Sequence, residues 1–235
     1  SPAFARRGAG RARDPPRKGP LELVHVSPRR EPERRDRRVP GLLSLPAPFP
    51  FPDRPRLFGV AVSHYQVEGG DPCDWTDWEA AGKTRGGPCG RAAGSWERYE
   101  EDAAAAAALG ANAFRFSVSW SRVEPRRGQF DEVALERYAR LVARLVALGL
   151  ESVVTLLHYT HPRWFHAETP WTSTASVTAF ARFASRVARA LGPSARCWAV
   201  LNEPFVLVLG GFLDGQVPPG LSSARDASRA LDHLL

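Results

Sequence analysis

Apolar runs typical of buried strands alternate with amphipathic segments typical of helices along most of this chain. The pattern predicts four strands at 57–62, 113–118, 152–157 and 197–201, and three intervening helices at 95–109, 131–148 and 176–191. Strands that alternate with helices through short turns are typical of parallel βαβ units. The near-continuous apolar character of 152–157 favours burial on both faces of a sheet. The fold class is therefore predicted to be α/β.

Each predicted helix ends in a Leu-Gly pair, with the glycines at 110, 149 and 192. Glycine adopts the left-handed conformation without a side-chain clash, so it closes a helix and redirects the chain. At the opposite ends, Ser95 and Asp131 are predicted to be N-caps, because their side-chain oxygens can accept hydrogen bonds from backbone amides. This regular pattern of helix ends supports the βαβ interpretation.

The junction between the last predicted strand and Asn202-Glu203-Pro204 is the strongest chemical signal. Desolvation at the mouth of an apolar strand raises the pKa of a carboxylic acid toward the range of a general acid. The Asn202 amide can bind a hydroxyl group, and Pro204 restricts the turn. Alone, the triplet is more often an ordinary strand end with a solvent-facing glutamate. In this strand and helix context it predicts a site that breaks glycosidic bonds.

Four segments resemble glycoside hydrolase family 1, the β-glucosidase family, and they occur in the order of that family's first four strands. The segments are 58–69 (FGVAVSHYQVEG), 114–122 (FRFSVSWSR), 156–159 (LLHY) and 201–204 (LNEP). The loop at 215–220 is also similar, and the resemblance extends from about Phe49 to Leu235. It implies an α/β fold of the (β/α)8 TIM barrel type, of which this chain covers roughly strands 1–4.

The resemblance implies that Glu203 is the catalytic general acid/base, which protonates the leaving oxygen and later activates water. It also implies that Arg115 lies beneath the site and keeps a nucleophilic carboxylate ionised. An arginine inside a strand requires an acidic or polar partner in any case, because an unpaired buried guanidinium is costly.

The residues that the resemblance assigns to substrate binding come from all four strand ends. Hydroxyl groups of the sugar would be bound by Gln66, His158 and Asn202. Tyr159 stands where the family usually has tryptophan, and it offers a ring together with an additional hydroxyl. Trp120 would lie at the mouth of the site and stack on a sugar, although a tryptophan at such a position is more often part of a core.

Retaining hydrolysis requires a second carboxylate as nucleophile, about 5–5.5 Å from the acid/base. The family carries it in a Glu-Asn-Gly motif near the end of strand seven, and no such motif occurs in this sequence. We therefore expect residues 57–235 to be the N-terminal half of a barrel that does not hydrolyse glycosides alone. Two alternatives are a catalytically silent relative that binds sugar or a protein partner, and a related barrel enzyme that cleaves polymers.

The first 56 residues differ in composition from the remainder. They hold 14 Lys and Arg against 6 Asp and Glu, a net charge of +8, whereas residues 57–235 hold 18 against 19, a net charge of −1. They also contain 12 of the 21 prolines. This composition predicts an extended or disordered tail at 1–56. Acidic residues interrupt the arginine cluster at 29–38, so nucleic acid is not expected as a partner.

The expected ligand is a small β-glycoside or oligosaccharide, with no cofactor and no metal. The spacing of His161, His166 and Glu168 resembles no known set of metal ligands. The sequence has no apolar run near the ~20 residues of a membrane span. No secretory signal is visible in the first 56 residues, so a cytoplasmic location is predicted.

Overall fold

The computed structural model describes residues 57–168 and 170–235. Four strands form a parallel sheet in chain order: β1 Gly59–Ala61, β2 Ala113–Ser117, β3 Glu151–Leu157 and β4 Cys197–Leu201. The register pairs Gly59 with Ala113, Ala113 with Glu151, and Val153 with Cys197. Because every neighbouring pair is parallel, each connection must cross back along the sheet. The predicted α/β class is confirmed, whereas the predicted tail at 1–56 lies outside the described residues.

Three long helices provide the connections between the strands, and shorter helices follow the strand ends. In chain order the helices are α1 His64–Val67, α2 Asp74–Ala80, α3 Ser95–Ala108, α4 Trp120–Val123, α5 Glu132–Ala147, α6 Arg163–Glu168, α7 Ala175–Leu191, α8 Pro204–Val208 and α9 Ala224–Leu234. A 3₁₀ turn at Gly192–Ser194 follows α7, and a π-helical turn at Leu209–Leu213 follows α8. None of the described helices is long and apolar enough to cross a membrane.

The predicted helix ends are confirmed with one exception. Asp131 caps α5, since its Oδ1 accepts a hydrogen bond from the amide of Ala134 at 3.0 Å. The prediction that Ser95 caps α3 is wrong, because Gly94 precedes the helix with a φ of +70° and Ser95 is the first helical residue. A left-handed glycine turns the chain directly into the helix, so the serine hydroxyl does not serve as the cap.

The core lies between the sheet and the long helices, and α5 packs against β3, α3 and α7. On α5 the apolar residues Tyr138, Leu141, Val142 and Leu145 recur at helical spacing, and all four are buried, as the 3.6-residue period requires. Val146 has the same helical spacing, but it is 53% exposed because it lies at the margin of the apolar stripe.

Candidate active site

Most of the predicted site residues lie where the parallel strands end. Gln66 lies on α1 after β1, His158 and Tyr159 follow β3, and Asn202 and Glu203 follow β4. The C-terminal ends of parallel strands meet at one edge of the sheet, and this edge carries the active sites of α/β barrels. Distant parts of the chain are therefore brought together at one edge.

A chain of hydrogen bonds crosses this edge from β2 to β4. Arg115 donates through Nε to Thr155 Oγ1 at 2.9 Å and through Nη2 to Asn202 Oδ1 at 2.6 Å. Because a guanidinium can only donate, it fixes the orientation of the Asn202 amide, whose NH₂ group then faces the next residue. Asn202 Nδ2 lies 3.3 Å from Glu203 Oε2. Asn202 therefore links the arginine to the carboxylate.

Glu203 occupies an unusual turn at the end of β4. The backbone N–H of Asn202 donates to the carbonyl of Leu157 at 2.9 Å and so continues the sheet pairing. The next residue, Glu203, leaves the extended conformation, with a φ of +47°. Pro204 then begins α8 at a position where a proline is well tolerated. The Glu203 side chain is exposed, so the expectation that an apolar strand end desolvates it is wrong. The turn instead presents the carboxylate to solvent, where a ligand can reach it.

The Tyr159 hydroxyl donates to Glu203 Oε2, a contact that the sequence did not predict. Tyr159 also has a positive φ, at +69°. Burial raises the pKa of this phenol to about 12, with the Glu203 hydrogen bond and charge as further causes. The hydroxyl therefore remains protonated, and able to donate, through the neutral range.

His158 is half-buried and uncharged at neutral pH. Burial and then the charge of Arg115 lower its pKa to about 4, although Glu203 opposes that shift. Its Nδ1 is buried and has no hydrogen-bond partner among the described residues. A neutral imidazole has one donor and one acceptor nitrogen, so it is suited to a sugar hydroxyl, which can both donate and accept. The position of His158 is compatible with the predicted binding role.

Gln66 lies at the same edge but outside the hydrogen-bonded chain from Arg115 to Glu203. Its side chain is exposed, and its Oε1 accepts a hydrogen bond from Ser63 Oγ at 2.7 Å. This bond orients the amide so that its nitrogen points away from Ser63. The predicted role of Gln66 in binding a sugar hydroxyl stays a prediction.

The prediction that Trp120 stacks on a sugar is wrong for this structure. Its side chain is 1% exposed, and its ring centroid lies 4.9 Å from those of Phe165 and Phe183. Its indole nitrogen donates to Glu124 Oε2 at 2.8 Å. Residues from α6 and α7 cover the ring, so no face is left for a ligand.

Asp74, His161 and His166 form a second polar cluster in which the candidate ligand atoms all lie within 4.8 Å of one another. Asp74 Oδ2 is 3.0 Å from His161 Nδ1 and 3.1 Å from His166 Nε2. Trp171 donates its indole proton to His161 Nε2 at 2.7 Å, so the proton of the neutral ring must be on Nδ1. That nitrogen then donates to Asp74 and has no lone pair for a metal. The geometry favours a hydrogen-bond network over a metal site.

Glu68 lies close in sequence to Gln66 but belongs to a buried network. Its Oε2 accepts a hydrogen bond from the Tyr138 hydroxyl at 2.8 Å and lies 3.6 Å from Arg122 Nε. Burial raises the pKa of this carboxyl to about 7, because desolvation outweighs the hydrogen bond and the nearby arginines. Glu68 is therefore a group whose proton binding depends on folding.

We predict that Glu68 makes the protein less stable as the pH rises from about 4.5 through 7. Its folded pKa of about 7 exceeds the ordinary 4.5, so the folded state binds the proton more tightly in this window. Glu68→Gln should remove up to about 3 kcal/mol of pH dependence in the free energy of unfolding. Urea unfolding at pH 5 and pH 8 measures it, with the exposed Glu136→Gln as the control. Equal pH dependence in wild type and Glu68→Gln would contradict the prediction.

The sequence is similar to known proteins along most of its length. The model of glycosyl hydrolase family 1 matches residues 49–235. Beta-glucosidase 3 of Arabidopsis thaliana is 34% identical over 174 residues, covering 72% of this chain and 34% of that protein. Beta-glucosidase A of Thermotoga maritima is 31% identical over 188 residues, covering 76% of this chain and 42% of that protein. The chain thus spans less than half the length of these relatives.

Solved structures give the same result for the fold. The beta-glycosidase from Pyrococcus horikoshii superposes with a TM-score of 0.72 at 33% identity, over 76% of this chain and 42% of that one. The family 1 β-glucosidase from Thermotoga maritima in complex with isofagomine lactam gives 0.73 at 29% identity, with the same coverage. The predicted TIM barrel class is confirmed, with the four described strands forming part of the barrel. The chain belongs to glycosyl hydrolase family 1.

Proposed function

We propose that the whole protein is a retaining β-glycosidase that hydrolyses O-glycosidic bonds of small β-linked sugars, with Glu203 as its general acid/base. The observation that carries the proposal is the exposed Glu203 carboxylate at the end of β4, hydrogen-bonded by Asn202 and Tyr159. The names of the relatives, which are β-glucosidases and a β-glycosidase, support the substrate class.

In the proposed reaction Glu203 acts twice. As an acid it protonates the glycosidic oxygen while the bond to the sugar breaks, and as a carboxylate it later removes a proton from the attacking water. Its exposure supports this role, because both the departing alcohol and the incoming water must reach it. Neutral His158, Gln66 and the Asn202 amide would hold sugar hydroxyls, and Tyr159 would line the same site.

The nucleophile is proposed to lie outside residues 1–235. Arg115 already has a hydrogen-bonded place at the sheet edge, from which its charge can keep a nearby carboxylate ionised. β4 forms one edge of the described sheet. Val200 on β4 and Phe205 and Val206 on α8 are each more than half exposed. Additional barrel strands would cover this apolar surface. The 235-residue chain alone is therefore proposed to have no glycosidase turnover.

The test is to assay the whole protein and the 235-residue chain in parallel with p-nitrophenyl β-glucoside. Proton NMR of the first-formed sugar decides the stereochemistry, since a retaining enzyme releases the β-anomer. We expect turnover with retention from the whole protein and none from the 235-residue chain. Release of the α-anomer would contradict the retaining mechanism. Sugar binding without turnover in the whole protein would identify the silent relative, and reducing-sugar release from polymers alone would identify the polymer-cleaving alternative.

A further inference from the structure

Tyr159 and Glu203 occupy equivalent positions on neighbouring strands. The register pairs Leu157 of β3 with Leu201 of β4, and each of the two residues lies two positions beyond its strand's paired leucine. Both adopt positive φ values, +69° and +47°, a region that side-chain-bearing residues rarely use. Such conformations persist when the surrounding contacts determine them, and they concentrate at functional sites. The two turns therefore form a matched pair at the site edge.

The contact between these turns involves a single carboxylate oxygen. The Tyr159 hydroxyl donates to Glu203 Oε2, and Asn202 Nδ2 lies 3.3 Å from the same atom. Among the described residues Oε1 accepts no hydrogen bond. The carboxylate is thus held on one side, and its other oxygen remains open to solvent.

We propose that Tyr159 is a positioning residue for Glu203: its hydroxyl fixes Oε2 so that Oε1 faces the glycosidic oxygen. This inference rests on the proposed function and deepens it. A phenol supplies this hydroxyl, whereas the tryptophan usual at this position in the family has none. The ring of Tyr159 therefore does not need to stack on the sugar to contribute to the reaction.

Two other ionisable groups, Arg115 and His158, lie near this contact, and their effects on Tyr159 must be distinguished from that of Glu203. Arg115 reaches Asn202, and its charge acts on Tyr159 in the opposite direction to that of Glu203. The His158 ring lies 5.2 Å from the Tyr159 ring, centroid to centroid, and meets it nearly edge-on. Any acid-range signal at Tyr159 could therefore originate from His158 as well as from Glu203.

The activity test compares Tyr159→Phe with wild type in the whole protein. Loss of the hydroxyl should lower kcat/KM for phenyl β-glucoside about fivefold to tenfold, as expected when one hydrogen bond is lost. For 2,4-dinitrophenyl β-glucoside, kcat/KM of the variant should change by less than about twofold, because this leaving group needs little protonation. Tyr99→Phe on α3 is the matched control. Equal losses on both substrates would indicate a general structural role and overturn the inference.

A second readout does not depend on activity. The 235-residue chain has four tyrosines, so labelling it with ¹³Cζ-tyrosine gives four signals, and Tyr159→Phe assigns one of them. The Tyr159 signal should move in an acid-range titration step that disappears in Glu203→Gln and remains in His158→Asn. A step that survives Glu203→Gln, or disappears only in His158→Asn, would overturn the inference.

Together the two readouts separate this inference from the proposed function. Coupling between Tyr159 and Glu203, combined with an absence of turnover in the whole protein, would support the contact and reject the function. Turnover that depends on Glu203, without coupling and without a leaving-group effect in Tyr159→Phe, would support the function and reject the positioning role. If Tyr159→Phe fails to fold, phenylalanine substitutions at the other three tyrosines assign the remaining signal to Tyr159 by elimination. The comparison of wild type with Glu203→Gln and His158→Asn then still decides the question.

Discussion

Glu203→Gln should lower kcat/KM of the whole protein for phenyl β-glucoside by about 10²- to 10⁴-fold, the usual contribution of a general acid/base. Glutamine keeps the shape of the side chain and can still accept the hydrogen bond from Tyr159. It cannot transfer a proton to the leaving oxygen or from water. The loss should therefore reflect chemistry rather than misfolding, and steady-state kinetics with an unchanged unfolding midpoint would establish this.

The leaving group provides the internal comparison for this variant. With 2,4-dinitrophenyl β-glucoside, formation of the glycosyl-enzyme needs no acid. Glu203→Gln should therefore release a rapid burst of 2,4-dinitrophenol, after which turnover becomes slow. Hydrolysis of the glycosyl-enzyme is slow in this variant because no carboxylate removes a proton from the attacking water. Glu168→Gln, which removes an exposed carboxylate on α6 whose partner Arg127 lies 3.5 Å away, is the matched control. Wild-type turnover of phenyl β-glucoside by Glu203→Gln would exclude Glu203 as the acid/base.

The elements of the fold could be predicted from the sequence because they depend on local patterns. The buried face of α5 follows from the spacing of its apolar residues, and β3 follows from its nearly continuous apolar run. Asp131 was recognisable because an N-cap needs only its own backbone neighbours. Gly94 was missed because its left-handed conformation is set by the loop that precedes α3, which has no simple sequence pattern.

The candidate site could be predicted in position but not in its contacts. Motif order placed His158 and Glu203 at strand ends and Arg115 inside a strand beneath them, and parallel pairing brought the three together. The hydrogen bond from Tyr159 to Glu203 joins residues 44 positions apart, and that between His161 and Asp74 joins residues 87 apart. Such contacts depend on strand register and on left-handed turns. Neither is visible in residue types alone.

Trp120 is the clearest case in which tertiary packing decided the role of a residue. A tryptophan just after a strand end can face a ligand or turn into the core, and local sequence does not distinguish the two. Here α6 and α7 contribute Trp164, Phe165 and Phe183 around the ring. The sequence segments that decide its burial begin more than 40 residues later in the chain.

We expect Trp120→Ala to lower the free energy of unfolding by about 3–5 kcal/mol, the usual cost of removing a large buried aromatic side chain. The substitution leaves a cavity among the rings of the core. It also removes the indole donor from Glu124, a fully buried carboxylate that Arg182 and the amide of Gly128 also contact. Urea unfolding monitored by far-ultraviolet circular dichroism gives the difference.

Two further variants separate packing from hydrogen bonding at this position. Trp120→Phe keeps a ring and loses the donor, so it should cost about 1–3 kcal/mol, the penalty for leaving a buried acceptor unsatisfied. Trp78→Ala, at a half-buried tryptophan on α2, should cost less than Trp120→Ala because part of its ring already contacts water. If Trp120 instead formed a sugar platform, Trp120→Ala would raise KM and leave the unfolding midpoint nearly unchanged. A large loss of stability with an unchanged KM in the folded fraction is the result that a core residue requires.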